Sequence, residues 1–276
     1  MTTSSSIFDR NDPASGRSRY FMEDPREAQR LADKVDAGAW VNRYVQPHLE
    51  PESRVLDVGC GPGVLAAEIA ARFPAARVIG LDQNPDRSTE AGARLDRFGG
   101  YAIVGDALAL PFEDGSFDLV YCRFLLEYLR DPERAVREMV RVCRPGGRVI
   151  LQDLDGQLIW HYPQDIELEQ GMMVTLAALA KTGFDPCAGR KLYHRCYNAG
   201  LRSLASDVEV YHHYAGAIDA ENDRLWDLKF DIALPAAAAA LGGEAQARAL
   251  KARFLDYLKR PDTFTYSNLV TVTGVR

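Results

Sequence analysis

Three carboxylates stand at the ends of three short apolar runs: Asp57 within Arg54–Val58, Asp82 just after Arg77–Leu81, and Asp106 just beyond Tyr101–Val104. The first run leads directly into Gly59-Cys60-Gly61-Pro62-Gly63 and then into a helical pattern from Val64. Glycines at such a point allow positive φ and a close backbone approach to a ligand, and the free N–H groups of the helix start face it. The arrangement suits a nucleotide-like ligand. Asp82 is placed to accept from two ribose hydroxyls, and Asp106 from the exocyclic amine of an adenine held against Ala107 or the stem of Gln83.

Two ligand classes use a strand, a glycine turn and a helix in this order. Gly61-Pro62-Gly63-Val64-Leu65-Ala66 satisfies the dinucleotide pattern Gly-x-Gly-x-x-Gly/Ala, so the glycines alone do not decide. Asp57 weighs against a pyrophosphate, which it would repel, and for the cationic amino group of a methionine moiety, which it would attract. Asp82 speaks for a nucleoside in either class.

Elsewhere the reactive residue types are scattered. Cys187, His194 and Cys196 cannot share one face of one helix, and His212-His213 in an alternating strand would send their rings to opposite sides, so no metal site is expected and these residues read as structural. Glu113 and Asp114 read as solvated turn residues.

The acids require a sheet whose strand ends align. Apolar bursts at Arg54–Val58, Arg77–Leu81, Tyr101–Val104 and Phe117–Cys122 alternate with helical patterns from Val64, at Ser88–Phe98 and at Pro132–Val142; Gly146-Gly147 turns the chain into a fifth strand, Arg148–Asp153. This alternation predicts an α/β, Rossmann-like doubly wound sheet with helices on both faces. Helices at Asp165–Lys181 and Gly189–Ala199, a strand at Val208–Tyr214, two helices over Asp219–Arg260 broken at Gly242-Gly243, and a final strand at Phe264–Thr273 complete it. The expected whole is seven strands, mostly parallel with the last antiparallel. Residues 1–19 are expected to be a disordered leader, 20–50 an N-terminal helical cap with an amphipathic helix over Glu23–Val45, and 51–276 one domain with helical lid segments near 160–200 and 219–260.

The chain has 276 residues, 47% of them apolar, and a formal charge of −6, which argues against a broad basic surface for nucleic acid. No run approaches the roughly 20 apolar residues needed to span a bilayer, and Met1–Ser6 with Asp9 and Arg10 lacks a signal core. Five cysteines with no Cys-x-x-Cys pair fit reduced thiols, hence a cytoplasmic protein.

From Arg54 to Asp153 the chain resembles the class I S-adenosylmethionine-dependent methyltransferases, in particular the small-molecule branch with ubiquinone, menaquinone and natural-product enzymes. Five ordered segments carry the likeness: Asp57 through Gly63, Leu81-Asp82, Gly105 through Phe112, Phe117-Asp118-Leu119-Val120, and Arg144 through Arg148. The resemblance implies that Asp57, Gly59, Cys60, Gly61 and Gly63 hold the methionine end of S-adenosylmethionine, Asp82 with Gln83 the ribose, and Asp106 with Ala107 the adenine. It also implies that Arg123 lines the floor near the sulfonium, and that Tyr20 covers the cofactor from a folded-over N-terminal segment. In Leu126-Glu127-Tyr128 the chain departs from relatives that carry histidine in the third place.

The resemblance implies transfer of a methyl group to a small, hydrophobic or aromatic acceptor, leaving S-adenosylhomocysteine. The sulfonium is already activated, so alignment of donor and nucleophile is the protein's main task and no metal is required. Asp153, His161 and His194 are the candidates for a general base. Met172, Met173, Phe184, Tyr193, Trp226 and Phe230 supply apolar surface to enclose the acceptor, while Trp160-His161-Tyr162 reads as core or lid. Two other readings keep the same cofactor: a macromolecular methyltransferase, or a protein using it as a scaffold or for cyclisation or decarboxylation. The amphipathic N-terminal helix is compatible with covering its own site or with swapping onto a second copy in a homo-oligomer.

Overall fold

The computed structural model describes residues 35–181 and 183–276. The expected leader, Tyr20 and the first part of the N-terminal helix lie outside the described residues. Seven strands form one sheet: β1 (Arg54–Val58), β2 (Arg77–Asp82), β3 (Tyr101–Val104), β4 (Phe117–Arg123), β5 (Cys143–Tyr162), β6 (Arg202–Ala215) and β7 (Phe264–Val275). Their order is β3-β2-β1-β4-β5-β7-β6, with β7 antiparallel to both neighbours.

Side-chain alternation along the central strands builds two layers of core. Val55, Leu119, Tyr121 and Ile150 point to one face, where they meet α1 (Ala37–Trp40, continued by a π-helical turn at Val41–Val45), α2 (Val64–Arg72) and α3 (Pro85–Leu95). Leu56, Val120, Cys122 and Leu151 point to the other, against α4 (Pro132–Val142) and α6 (Leu192–Asn198). Burial on both faces is why these strands read as continuous apolar runs. The other helices, α5 (Ile166–Ala180), α7 (Ala220–Leu241) and α8 (Glu244–Leu258), pack their own cluster of Leu168, Met172, Trp226, Phe230, Phe254 and Leu258. Both α7 and α8 lie in the connection from β6 to β7.

The fifth strand is longer than the sequence predicts. Beyond Asp153 it continues as a ribbon against β7, Trp160 opposite Tyr266 and Tyr162 opposite Phe264, with a register shift between Asp155 and Trp160. Gly156 sits in that shift at φ +77°. The irregularity breaks the apolar alternation there, so the end of the pattern at Asp153 marks a bulge within the strand.

The strands run in reversed sequence order on either side of the β1–β4 boundary, and in open α/β sheets ligands bind beyond the carboxyl ends of strands at such a switch point. One buried amide locks the elements around it. The sheet register sets Arg123 beside Gln152 and Gln152 beside Thr271. The Gln152 Oε1 accepts from Arg123 Nε (2.7 Å) and from Trp40 Nε1 of the cap (2.9 Å), while its Nε2 donates to Thr271 Oγ1 (2.6 Å). Replacing Gln152 by leucine leaves the indole N–H and a guanidinium N–H buried without acceptors, and should lower the unfolding free energy by about 3 kcal/mol in urea denaturation.

Candidate functional site

A cleft lies over the carboxyl ends of β1, β2, β3 and β4. It encloses about 1440 Å3, solvent mouth included. Its walls bring together Asp57, Gly59, Cys60, Gly61, Asp82, Gln83, Asp106, Ala107 and Arg123.

Asp82 organises the glycine turn. The Gly61 N–H donates to its Oδ2 (2.8 Å) and the Asn84 N–H to its Oδ1 (2.9 Å), while Gly59 and Cys60 N–H groups both reach the Leu81 carbonyl. A Cβ on Gly61 would meet nothing within 4 Å, so this residue, at φ +52°, leaves its backbone open on the cleft side. Gly63 works differently. It is the N-cap of α2 at φ +77°, and a Cβ there would lie 2.8 Å from the Cβ of Ala91, so it lets α2 and α3 approach one another and lies off the cleft wall. Asp106 caps its own turn, its Oδ1 accepting from the Leu108 N–H at 2.8 Å.

Asp57 is only 4% exposed. Burial, with the neighbouring Asp82 carboxylate adding to it, pushes its pKa up to about 7 against the pull of Tyr121 and Arg123. The Tyr121 phenol lies beside it without a hydrogen bond of good geometry. Arg123 is the counter-charge of the floor; burial pulls its pKa below the ordinary value while Tyr211, Asp153 and Glu209 oppose that pull. Its guanidinium lies 3.9 Å from the ring centre of Phe124.

Phe124 has φ +55°, a backbone state costly for a bulky residue and concentrated at functional sites. It lines the cleft with Tyr211, 5.8 Å away between ring centres. Phe124, Tyr211 and Lys229 carry no role in the sequence reading, and Glu127 and Tyr128 stand there only as a departure from relatives, yet all five line the cleft wall with His212. His212 had read as structural. A register shift between Tyr211 and Tyr214 puts it at φ +47° and re-aims it toward Tyr211 and Trp226, whereas His213 packs on Phe264. The only sequence signal was four ring residues in a row, Tyr211 to Tyr214, where a half-exposed strand should alternate with polar residues.

The candidate bases stand off the cleft wall. Asp153 is fully buried behind Glu127, its Oδ2 accepting from the Glu127 N–H at 3.3 Å; burial and then the Glu127 carboxylate raise its pKa well above the usual range. His161, on the β5–β7 ribbon, touches Thr265 Oγ1 and stacks edge-on with Phe254 and Tyr257. His194 is on an exposed stretch of α6 beside Asn198. Met173 and Tyr193 are also exposed, whereas Met172, Phe184, Trp226 and Phe230 line a second cavity. Among the described residues no cluster of His, Cys, Asp or Glu could hold a metal ion, all five cysteines are free, and no helix is long and apolar enough to cross a membrane.

Residues 56–151, the stretch holding β1 through most of β5, match the methyltransferase domain family. An uncharacterized methyltransferase of Schizosaccharomyces pombe is 31% identical over 190 residues, 62% of this chain and 68% of that protein. The chain belongs to the S-adenosylmethionine-dependent methyltransferase family. A demethylmenaquinone methyltransferase of Thermus thermophilus is 40% identical over 119 residues, 41% of this chain and 52% of that protein, so the likeness spans about half of that relative. Among solved structures, phosphoethanolamine N-methyltransferase 2 of Haemonchus contortus, in complex with phosphomonomethylethanolamine and S-adenosylhomocysteine, shares the fold. It has a TM-score of 0.55 at 16% identity, covering 87% of this chain and 52% of that one.

The raised pKa of Asp57 fixes the sign of a pH effect. The folded chain holds this proton more tightly than the unfolded chain, so the associated stability is present below about pH 4 and is lost as pH rises through about 7. Melting temperature should fall between pH 5 and pH 8, and Asp57→Asn should recover at most about 4 kcal/mol of that loss. Asp153 contributes in the same direction and leaves a residual slope.

Proposed function

We propose that this protein transfers a methyl group from S-adenosylmethionine to a small apolar or aromatic organic acceptor in the cytoplasm, releasing S-adenosylhomocysteine. The observation that carries the reading is Asp57, a carboxylate withdrawn from water beside a second carboxylate. Such a group calls for a cation, and a methionine ammonium provides one where a pyrophosphate would add a third negative charge.

The residues fit the cofactor from end to end. Asp57 and the open backbone of Gly59 to Gly61 would hold the amino-acid end, and Asp82, already oriented by two backbone N–H groups, would accept from the ribose hydroxyls. Asp106 and Ala107 would border the adenine. When bound, the sulfonium supplies an electrophilic methyl group on a neutral leaving sulfur.

The protein's contribution is alignment. Phe124 beyond β4, Tyr211 and His212 of β6, and Lys229 of α7 wall the same cleft and would receive the acceptor. With the cofactor bound, the methyl group would come from its sulfonium, and the protein's part would be to align the acceptor and to take its proton on a cleft group or pass it to water. The broken β6 register brings the His212 imidazole to that wall.

Calorimetric titration with S-adenosylmethionine and S-adenosylhomocysteine tests the reading before any acceptor is known. Both should bind in the micromolar range, and Asp82→Ala should weaken binding at least about 100-fold through loss of two charge-assisted hydrogen bonds. A folded wild-type sample that binds neither ligand would refute the proposal.

A further inference from the structure

A second cavity of about 620 Å3, mouth included, lies between α5, α7 and α8 and adjoins the main cleft at Tyr128 and Lys229, which stand on the walls of both. We propose that it receives an extended apolar arm of the acceptor, whose hydroxylated ring stays in the cleft and takes a hydrogen bond from Lys229. This rests on the methyl-transfer reading above and adds to it the acceptor's shape and polarity.

The cavity wall is made of side chains such as Met172, Leu176, Phe230 and Leu234. Apart from the two shared residues, the polar groups among its described lining residues are already engaged: the Thr175 hydroxyl donates to the Gly171 carbonyl of its own helix at 2.9 Å, and the Trp226 indole N–H donates to the Tyr214 hydroxyl at 3.0 Å. Nothing there rewards a polar guest, and the free energy of entry comes from apolar area.

The space is not a product of loose helix packing. A Cβ on Gly171 would lie 2.6 Å from Leu250, so α5 and α8 are in close contact nearby. It is kept open by short side chains on the facing helices, Ala233 and Ala237 from α7 and Ala247 from α8. Any larger apolar residue at these positions would fill it.

Polarity is restored at the junction. Lys229 places its ammonium 5.0 Å from the ring centre of Trp226, so an aromatic face and a cation meet where the cavity joins the cleft. An ammonium there donates to an oxygen head, whereas the acids Asp57 and Asp82 at the ends of β1 and β2 suit the cationic end of the cofactor. The ammonium and the acids of the cleft thus select opposite polarities, and the cavity selects length.

The test is a binding series of 4-n-alkylphenols, ethyl to octyl, titrated into protein saturated with S-adenosylhomocysteine. Affinity should rise about three- to fourfold per methylene until the cavity is full. Ala237→Phe, with Ala247→Leu as a second filling variant, should flatten that rise while S-adenosylhomocysteine binding is kept. Lys229→Met should weaken every member about tenfold or more and leave the slope intact. A flat series in the wild-type protein, or a slope that survives both filling variants, would overturn the proposal. So would self-association abolished by Ala237→Phe in sedimentation, which would assign the cavity to a second copy. Failure of S-adenosylhomocysteine to bind would instead remove the methyl-transfer reading itself.

Discussion

Asp57 and Asp82 are like charges withdrawn from water at the ends of adjacent strands, and the site depends on the sheet holding them there. Parallel pairing fixes Asp57 opposite Gly80 and extends β2 to Asp82, so neither carboxylate can retreat without breaking a ladder. Each is compensated differently. Asp82 is stabilised by backbone N–H groups of the loops it organises, whereas Asp57 is left with a raised proton affinity that a cation would relieve. The two acids therefore favour a cationic guest, at a cost borne by the rest of the fold.

Part of that support comes through the Gln152 amide, whose three hydrogen bonds tie the cap, the cleft floor and the antiparallel half of the sheet into one unit. The cap is also fastened to the edge strand. The Arg43 guanidinium pairs with Asp207 and Glu209, and the Tyr44 hydroxyl lies 2.7 and 2.8 Å from the same two carboxylates. Those ion pairs are partly exposed and contribute modestly, about 0–1 kcal/mol each. Their effect is geometric, since they set Trp40 over the sheet where its indole can reach Gln152.

Much of this was readable in the sequence because it depends on local periodicity. The strands β1 and β3 and helix α4 have the bounds their apolar patterns give, and the glycine turn with its three acids led to one cleft. What was hidden arises from register and from long-range packing. The positive φ of Phe124 has no local signature, and His212 reaches the cleft only because β6 slips against β7. His161 and His194 were attractive by residue type, but the ribbon turns one toward α8 and the exposed side of α6 carries the other. Lys229 has no sequence signal of its own, and it reaches the cleft wall only through the packing of α7.

The position of β7 has a consequence for synthesis of the chain. It slots between β5 and β6, so the strand synthesised after the other six is an interior one. Until residues 264–275 emerge, β5 presents an unpaired edge and β6 has no neighbour to join, while the strands from β3 to β5 are already complete and able to pair. A nascent chain at that stage carries an exposed apolar edge of the kind that pairs with other chains. Completion of the second cavity also waits for this step, because α7 and α8 are anchored at one end only until β7 docks. Slow translation over residues 264–275, or their loss, thus threatens solubility first and catalysis second.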